Sequence, residues 1–371
     1  AYLRVWTGSL SSKTQFTVAR TGKEERIGDL LQIQGKDMKA IPSAAVGDIV
    51  AVAKVDDIRI GDTVHDGTAT WTFVPVKTPY PKVTLAIHPK NRADETKLGP
   101  ELTKLDEGDP TFIAEREEGT NEMVVRGMSS LHVDIMLKRL ARKHVEAVTS
   151  QPRVPYRETI AGNAESSYRH KKQSGGRGQF AEVHLKVAPL ARGGEFEFVD
   201  EVVGGSIPRQ FIPAVEKGVR ETLPNGVVAG CPFTDVKVTV FFGKAHDVDS
   251  YEHSFKLASS QAFRIAVNDA KPVLLEPVME VTIEVPSRFM GDISGDLNSR
   301  RGRILGMNQE GDLAIIQAHV PLAEMMQYST ELRSLTAGEG DYDFHFSGYE
   351  PVPAHVAEGI IARHKKEAQS E

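Results

Sequence analysis

The order of elements in two separate stretches constrains the fold of this chain more than any other feature. Between Lys82 and Thr149 the sequence reads as strand (Lys82–His88), helix (Ala93–Leu105), strand (Thr111–Glu117), turn, strand (Glu122–Gly127), helix (Leu131–Lys143) and strand (Val145–Thr149). This is the split βαββαβ order. Leu98, Leu102 and Leu105 form one apolar stripe at helical spacing, and Val133, Met136, Leu137 and Leu140 form another, both turned to one sheet face. Pro100 removes a hydrogen bond from the first helix, which predicts a kink or a later start. The same order recurs near the C-terminus. Met279, Val281, Ile283 and Val285 alternate with Glu280, Thr282 and Glu284 as a half-buried strand does, and a helix with Phe289, Ile293 and Leu297 follows. Strands around Ile304 and Ile315-Ile316, a helix from Leu322 to Leu335 and a strand Tyr342–Phe346 complete the second copy.

Two domains of one topology thus flank a middle segment that mixes long strands with two helices, the second carrying Phe255, Ala258, Ala262, Ile265 and Ala266 on a core face. From Tyr2 to about Phe73, short β-type runs are broken by Gly-Asp turns at Gly47-Asp48 and Gly61-Asp62, the pattern of a small β-barrel. The chain opens directly on the Leu3, Val5 alternation with no turn or cap before it, so we expect the barrel to lack its first strand. Thr78-Pro79-Tyr80-Pro81 and Gln151-Pro152-Arg153-Val154-Pro155 are stiff linkers. The expected organisation is therefore multidomain α+β: a truncated β-barrel at 1–76, βαββαβ domains at 80–153 and 277–350 around an α+β domain at 156–276, and a C-terminal helix or tail at 351–371.

The one cysteine, Cys231, excludes an intramolecular disulfide, and no apolar run approaches the ~18 residues of a membrane span. These features lead us to expect a cytoplasmic protein with no membrane partner. A net charge of −6 argues against nucleic acid only if charge is spread evenly, and it is not. Segment 156–276 holds fifteen Lys and Arg against fifteen Asp and Glu, yet Ser166–Phe180 (SSYRHKKQSGGRGQF) contains Arg169, Lys171, Lys172 and Arg177 and no acid. Gly175, Gly176 and Gly178 let such a loop turn tightly and approach a partner, and a guanidinium there can grip phosphate or stack on a base. The local sequence is equally that of a solvated hairpin.

His246, Asp247, Asp249 and His253 include ordinary metal-ligand types, so a metal-dependent hydrolase is the alternative from another functional class. In the same turn, Asp249 or Ser250 is placed to cap the following helix. Asn298–Arg303 (NSRRGR) and Lys138, Arg139, Arg142 and Lys143 are further basic groups, read as solvated surface, the latter complementing a helix C-terminus. The sequence contains no G-x-x-x-x-G-K-[ST] phosphate loop, no strand followed by G-x-G-x-x-G and no G-x-S-x-G elbow.

Seven stretches in order, PRVPYRETI (152–160), KQSGGRGQF (172–180), GGSIPRQFIPAVEKGVRE (204–221), HDVDS (246–250), KPVLLEP (271–277), GDLNSRRGRILGM (295–307) and LRSLT (332–336), make the chain resemble elongation factor G and its paralogues. The resemblance implies a β-barrel second domain, ferredoxin-like third and fifth domains, and a ribosomal-protein-S5-like fourth domain whose tip enters the ribosomal decoding centre. The RNA-contacting tip would comprise Lys172, Ser174, Gly175, Gly176, Arg177 and Gly178 on one loop and His246 and Asp247 on a second. The implied partner is the ribosome, through its rRNA, decoding centre, A site and stalk base, in tRNA and mRNA translocation. GTP and magnesium would belong to a GTPase domain preceding Ala1, so the chain itself is expected to bind no cofactor or metal and not to be an enzyme. Two positions depart from the pattern: Ser130 stands in place of Glu, and Glu339 in place of Arg. They give the chain the look of a paralogue, for which ribosome recycling or a stress role is the alternative.

Overall fold

The structure, a computed structural model, describes residues 1–53, 55, 58–67, 71–173 and 178–370. These form two compact units, Ala1–Glu115 with Val124–Ser150, and Arg116–Met123 with Gln151–Glu371. No helix among the described residues is long and apolar enough to cross a membrane.

In the first unit, β1 (Tyr2–Arg4), β2 (Leu10–Ser11), β3 (Gln15–Val18), β4 (Lys23–Arg26), β5 (Asp29–Gln34), β6 (Asp37–Ala40), β7 (Ser43–Ala44), β8 (Ile49–Ala53) and β9 (Val64–His65) surround Phe16, Val18, Ile27, Leu30, Val50 and Val52. Gly47 and Gly61, both at positive φ, make the two expected turns. The strands pair as β1-β8-β5-β6, β2-β7 and β4-β3-β9, and these three sheets do not close into one hydrogen-bonded ring among the described residues. Next come β10 (Val83–Pro89), α1 (Glu95–Gly108), β11 (Ile113–Arg116), β12 (Met123–Gly127), α2 (Ser130–Ala141) and β13 (Ala147–Ser150). Their sheet order is β11-β12-β10-β13. α1 starts two residues later than expected and keeps Pro100 inside. Ser129 caps α2, its hydroxyl accepting the His132 amide at 3.2 Å.

The second unit holds β14 (Arg157–Ile160), β15 (Ala164–Lys172), β16 (Gln179–Pro189), β17 (Phe196–Asp200), α3 (Ile212–Arg220), β18 (Val236–Lys244), α4 (Glu252–Asp269), β19 (Pro272–Pro286), α5 (Met290–Ser299), β20 (Arg303–Glu310), β21 (Leu313–Pro321), α6 (Leu322–Met325), α7 (Tyr328–Leu335), β22 (Asp341–Pro351) and α8 (Ala354–Ser370). The sheet β15-β16-β18-β17 packs one face on α3 and α4 around Val183, Leu185, Val238, Phe255 and Phe263. Phe263 takes the inward place on α4, and Ile265, expected there, is 40% exposed. β19 pairs with β22 on one edge and β21 on the other, and β20 lies beyond β21. The order β22-β19-β21-β20 therefore repeats, strand for strand, the arrangement of β13-β10-β12-β11. The single helix expected over 322–335 is two, α6 and α7.

In the basic turn at 298–303, Asn298, Ser299 and Arg303 are exposed as expected, but Arg300 and Arg301 are tied into the fold. Arg300 donates to both Asp296 oxygens at 2.8 and 3.1 Å and also pairs with Glu331. Arg301, at φ +59°, grips the buried Glu276 with two bonds of 2.5 and 2.9 Å and reaches Glu324 at 3.1 Å. On β14, which pairs with β19 next to Glu276, Glu158, only 1% exposed, accepts the amides of Val227 and Val228 on one oxygen and those of Ala229 and Cys231 on the other. α8 packs on this loop, and its His364 Nδ1 lies 3.6 Å from the Cys231 thiol.

Candidate functional site at the hairpin tip

Two connections meet at one end of the β15-β16-β18-β17 sheet. The first is the β15–β16 hairpin, which is in register from Ala164↔Val187 to Lys172↔Gln179. The second is the loop 245–251 between β18 and α4. Main-chain bonds stitch them together. The Phe180 amide donates to the Asp249 carbonyl at 2.8 Å, and the Ser250 hydroxyl donates to the Phe180 carbonyl at 2.8 Å. Ser250 Oγ also accepts the His246 amide at 2.8 Å, so this hydroxyl is occupied by the bridge and does not cap α4. The α4 N-cap is Tyr251, without a side-chain cap bond. Gly178 lies so close to the second loop that an added Cβ would stand 2.6 Å from the Asp249 carboxylate.

Of the sequence-predicted tip residues, Lys172 ends β15 exposed, Gly178 packs against Asp249, and His246 and Asp247 lie exposed on the second loop. Ser174, Gly175, Gly176 and Arg177 lie outside the described residues. The structure thus brings Lys172, Gly178, His246 and Asp247 to one end of one sheet. His246 Nδ1 is 3.3 Å from the amides of both Val248 and Asp249, and 3.7 Å from Asp249 Oδ2. It cannot serve both sets at once: a neutral ring accepts the amides, leaving Nε2–H to donate outward, whereas a protonated Nδ1 would turn to the carboxylate. The Phe180 ring, tilted against His246 with centroids 6.2 Å apart, backs the imidazole.

Sequence reasoning missed Phe180 and Glu182 as members of this end, and read Asp249 as a metal ligand or helix cap. Phe180 and Asp249 supply the stitching, and Glu182 neutralises part of the basic stretch. Glu182 Oε2 accepts Arg169 Nε at 2.6 Å and its Oε1 meets His184 Nε2 at 3.0 Å. Burial would raise this carboxyl, but the bonds from His184 and Arg169 and the charges of Arg169 and Lys244 hold it below its ordinary value. Strand alternation puts Glu182 opposite Arg169, a signal present in the sequence once the hairpin register is set. His253 enters α4 apart from the loop, and among the described residues no three His, Cys, Asp or Glu side chains converge to hold a metal ion.

Comparison with known families matches consecutive parts of the chain to elongation factor Tu domain 2 (residues 1–65), elongation factor G domain III (78–151), elongation factor G domain IV (152–271) and the elongation factor G C-terminus (273–360). The chain belongs to the elongation factor G family. A crystal structure of a protein from Thermus thermophilus is similar to it at 38% sequence identity with a TM-score of 0.83, over 99% of this chain and 55% of that one. The chain thus spans about half the length of that relative. In the family's terms, the stitched end belongs to domain IV, and the sheet built on β19 to β22 is that of the C-terminal domain.

Proposed function

We propose that this chain is the ribosome-engaging portion of an elongation factor G-like translational GTPase acting in tRNA and mRNA translocation, with domain IV placed in the A site and the flanking domains bracing it. The observation that carries this reading is the convergence of the two loops. One offers Lys172 and the glycine-rich basic segment, and the other offers exposed His246 and Asp247, on a common base held by the Phe180 and Ser250 bonds. Positive charge beside exposed imidazole and carboxylate groups fits RNA, where cations meet phosphate and hydrogen-bonding groups meet bases and 2′-hydroxyls. GTP and magnesium are bound, in this reading, by a GTPase domain outside the chain, which itself hydrolyses nothing, and the protein works in the cytoplasm. A paralogue acting in recycling or stress is the second reading. It is favoured by Glu339, whose carboxylate is taken up by Arg288 within the C-terminal domain at a position where the family pattern has Arg.

The test is ribosome binding across a salt series. Arg177→Ala should weaken binding and reduce the slope of log affinity against log salt by about one, because one fewer counterion is released. His246→Ala should leave the slope unchanged while impairing the activity of the intact factor after binding. An Arg177→Ala chain that binds like wild type at every salt concentration sinks the tip assignment. Complementation by the intact parent in cells depleted of the main elongation factor separates translocation from the second reading.

A further inference from the structure

The sheet leading to the tip has one face under α3 and α4, where Ala181, Val183, Leu185 and Val187 of β16 are buried. The alternate residues lie on the other face, and the register aligns them in rows across three strands. Lys171 stands opposite Phe180 nearest the tip; Arg169, Glu182 and Lys244 form the next row; Ser167, His184 and Phe242 form the third. A bulge between His184 and Leu185 gives β18 an extra residue, so that both Phe241 and Phe242 meet the His184 ring edge-on, at 5.9 and 5.0 Å. Lys186 Nζ lies 4.6 Å from the Phe241 centroid, and Phe242 is 38% exposed.

We propose that this open face is a stacking platform for single-stranded RNA, continuous with the tip and distinct from it. Aromatic rings on neighbouring strands of an open four-stranded sheet offer flat surfaces to unstacked bases, which a duplex cannot present. The charges fit a strand laid along the rows. Glu182, the carboxylate of the first three rows, is engaged by Arg169 and His184, and Lys171 makes no ion pair among the described residues. Farther from the tip each lysine has an acidic neighbour, Lys186 with Glu165 and Lys237 with Glu197. The lysine without an ion pair among the described residues thus lies in the row nearest the tip, where phosphates would lie, with the aromatic group two rows away to take bases. A protein partner would instead be met by a contiguous apolar core with its charges depleted, and here the charged row of Arg169, Glu182 and Lys244 lies between Phe180 and the His184–Phe242 cluster.

The inference extends the reading of the tip as an RNA-contacting end, and its test separates the two. The probe is a fluorescent oligouridylate of about twelve nucleotides, within the usual span of single-strand sites, titrated with the whole chain and followed by anisotropy. Phe242→Ala should weaken binding about tenfold without changing the salt slope, and Phe242→Trp should bind as wild type does. A duplex of the same length should compete poorly. Phe242→Ala binding within twofold of wild type overturns the platform, as does equal competition by duplex. If Arg177→Ala alone weakens binding, the platform falls and the tip stands; if Phe242→Ala alone does so, the platform stands, and the tip reading is decided separately by the ribosome salt series. Should no oligonucleotide bind while Phe242→Ala lowers ribosome association, the face docks a protein and the proposal is wrong. Thermal melts of each variant exclude misfolding, and an Ala variant that fails to fold leaves Phe242→Tyr, Phe242→Trp and His184→Ala to decide.

Discussion

Replacing Glu158 by Gln tests what holds the loop 226–231. The carboxylate is 1% exposed and accepts four amides, from Val227 at 2.7 Å and Val228 at 2.9 Å on Oε2, and from Ala229 at 2.7 Å and Cys231 at 3.1 Å on Oε1. An amide of the same shape keeps one acceptor oxygen and turns the other into a donor. Two of the four amides then lose their partner and face an N–H. Each buried donor left unsatisfied costs about 1–3 kcal/mol, and bonds to a charged acceptor lie toward the upper end, so we expect a loss of about 4 kcal/mol. For a folding unit of this size that lowers the melting temperature by about 8–16 °C. Calorimetric melts of the intact chain give the shift, and hydrogen exchange gives its location: amides 227–231 should lose protection ahead of β16 and β18. α8 should loosen with them, since it packs on Ala229 and Cys231. A Gln variant melting within about 2 °C of wild type, with the four amides still protected, would refute the claim that the anion organises this loop.

Three further outcomes follow from the same structure. Arg301→Ala should cost about 3–5 kcal/mol in urea unfolding, because it strands Glu276, whose side chain is 4% exposed, without its bidentate partner; a loss below about 1 kcal/mol would contradict this. Gly178→Ala should separate the two tip loops, read as faster exchange of the Phe180 amide with little change in melting temperature, and unchanged exchange would show that Asp249 yields freely. Burial, with the nearby Glu158 charge, pushes the Cys231 thiol up to about 12, so the folded state holds its proton more tightly than the unfolded chain. Its contribution is fully present below the ordinary thiol value near 9 and is lost as pH rises from there toward 12, by up to about 1.4 kcal/mol per pH unit. The difference in unfolding free energy between wild type and Cys231→Ala, followed from pH 8 to 11, should shrink over that range, and a flat difference would exclude the effect.

The repeated topology was readable because alternation at period 2 and stripes at helical spacing are local signals, and the two copies reinforce one another. The basic hairpin was readable for the same reason: an acid-free run ending in glycines announces a turn. What the chain conceals is where side chains separated in sequence meet. Arg169 was counted among free cations, but its carboxylate sits thirteen residues on, across the hairpin. Arg300 and Arg301 looked like a solvated basic turn, whereas Asp296, Glu331, Glu276 and Glu324 reach them from α5, α7, β19 and α6. Ser250 has the right residue type and place for a cap, and tertiary structure uses it to bridge two loops instead. On α4 the buried face runs through Ser259, Phe263 and Val267, which leaves Ile265, two residues on from Phe263, turned away from it, and the Phe263 ring meets Phe233 5.5 Å away.

β19 runs unbroken for fifteen residues across the point where the sequence placed the join between the middle and C-terminal domains. At about 3.3 Å per residue it is a beam of about 50 Å. Its first residues, Pro272–Leu275, are bonded to β14 at the base of domain IV, while Val278–Pro286 form the spine of the C-terminal sheet. The Arg301–Glu276 pair and the packing of α8 brace the stretch between. The register of β19 against β22 shifts between Val278 and Met279, so the beam carries an irregularity beside its midpoint, yet one continuous backbone serves both sheets. Rotation of the C-terminal sheet would therefore reach β14 through a single covalent member rather than across a loop.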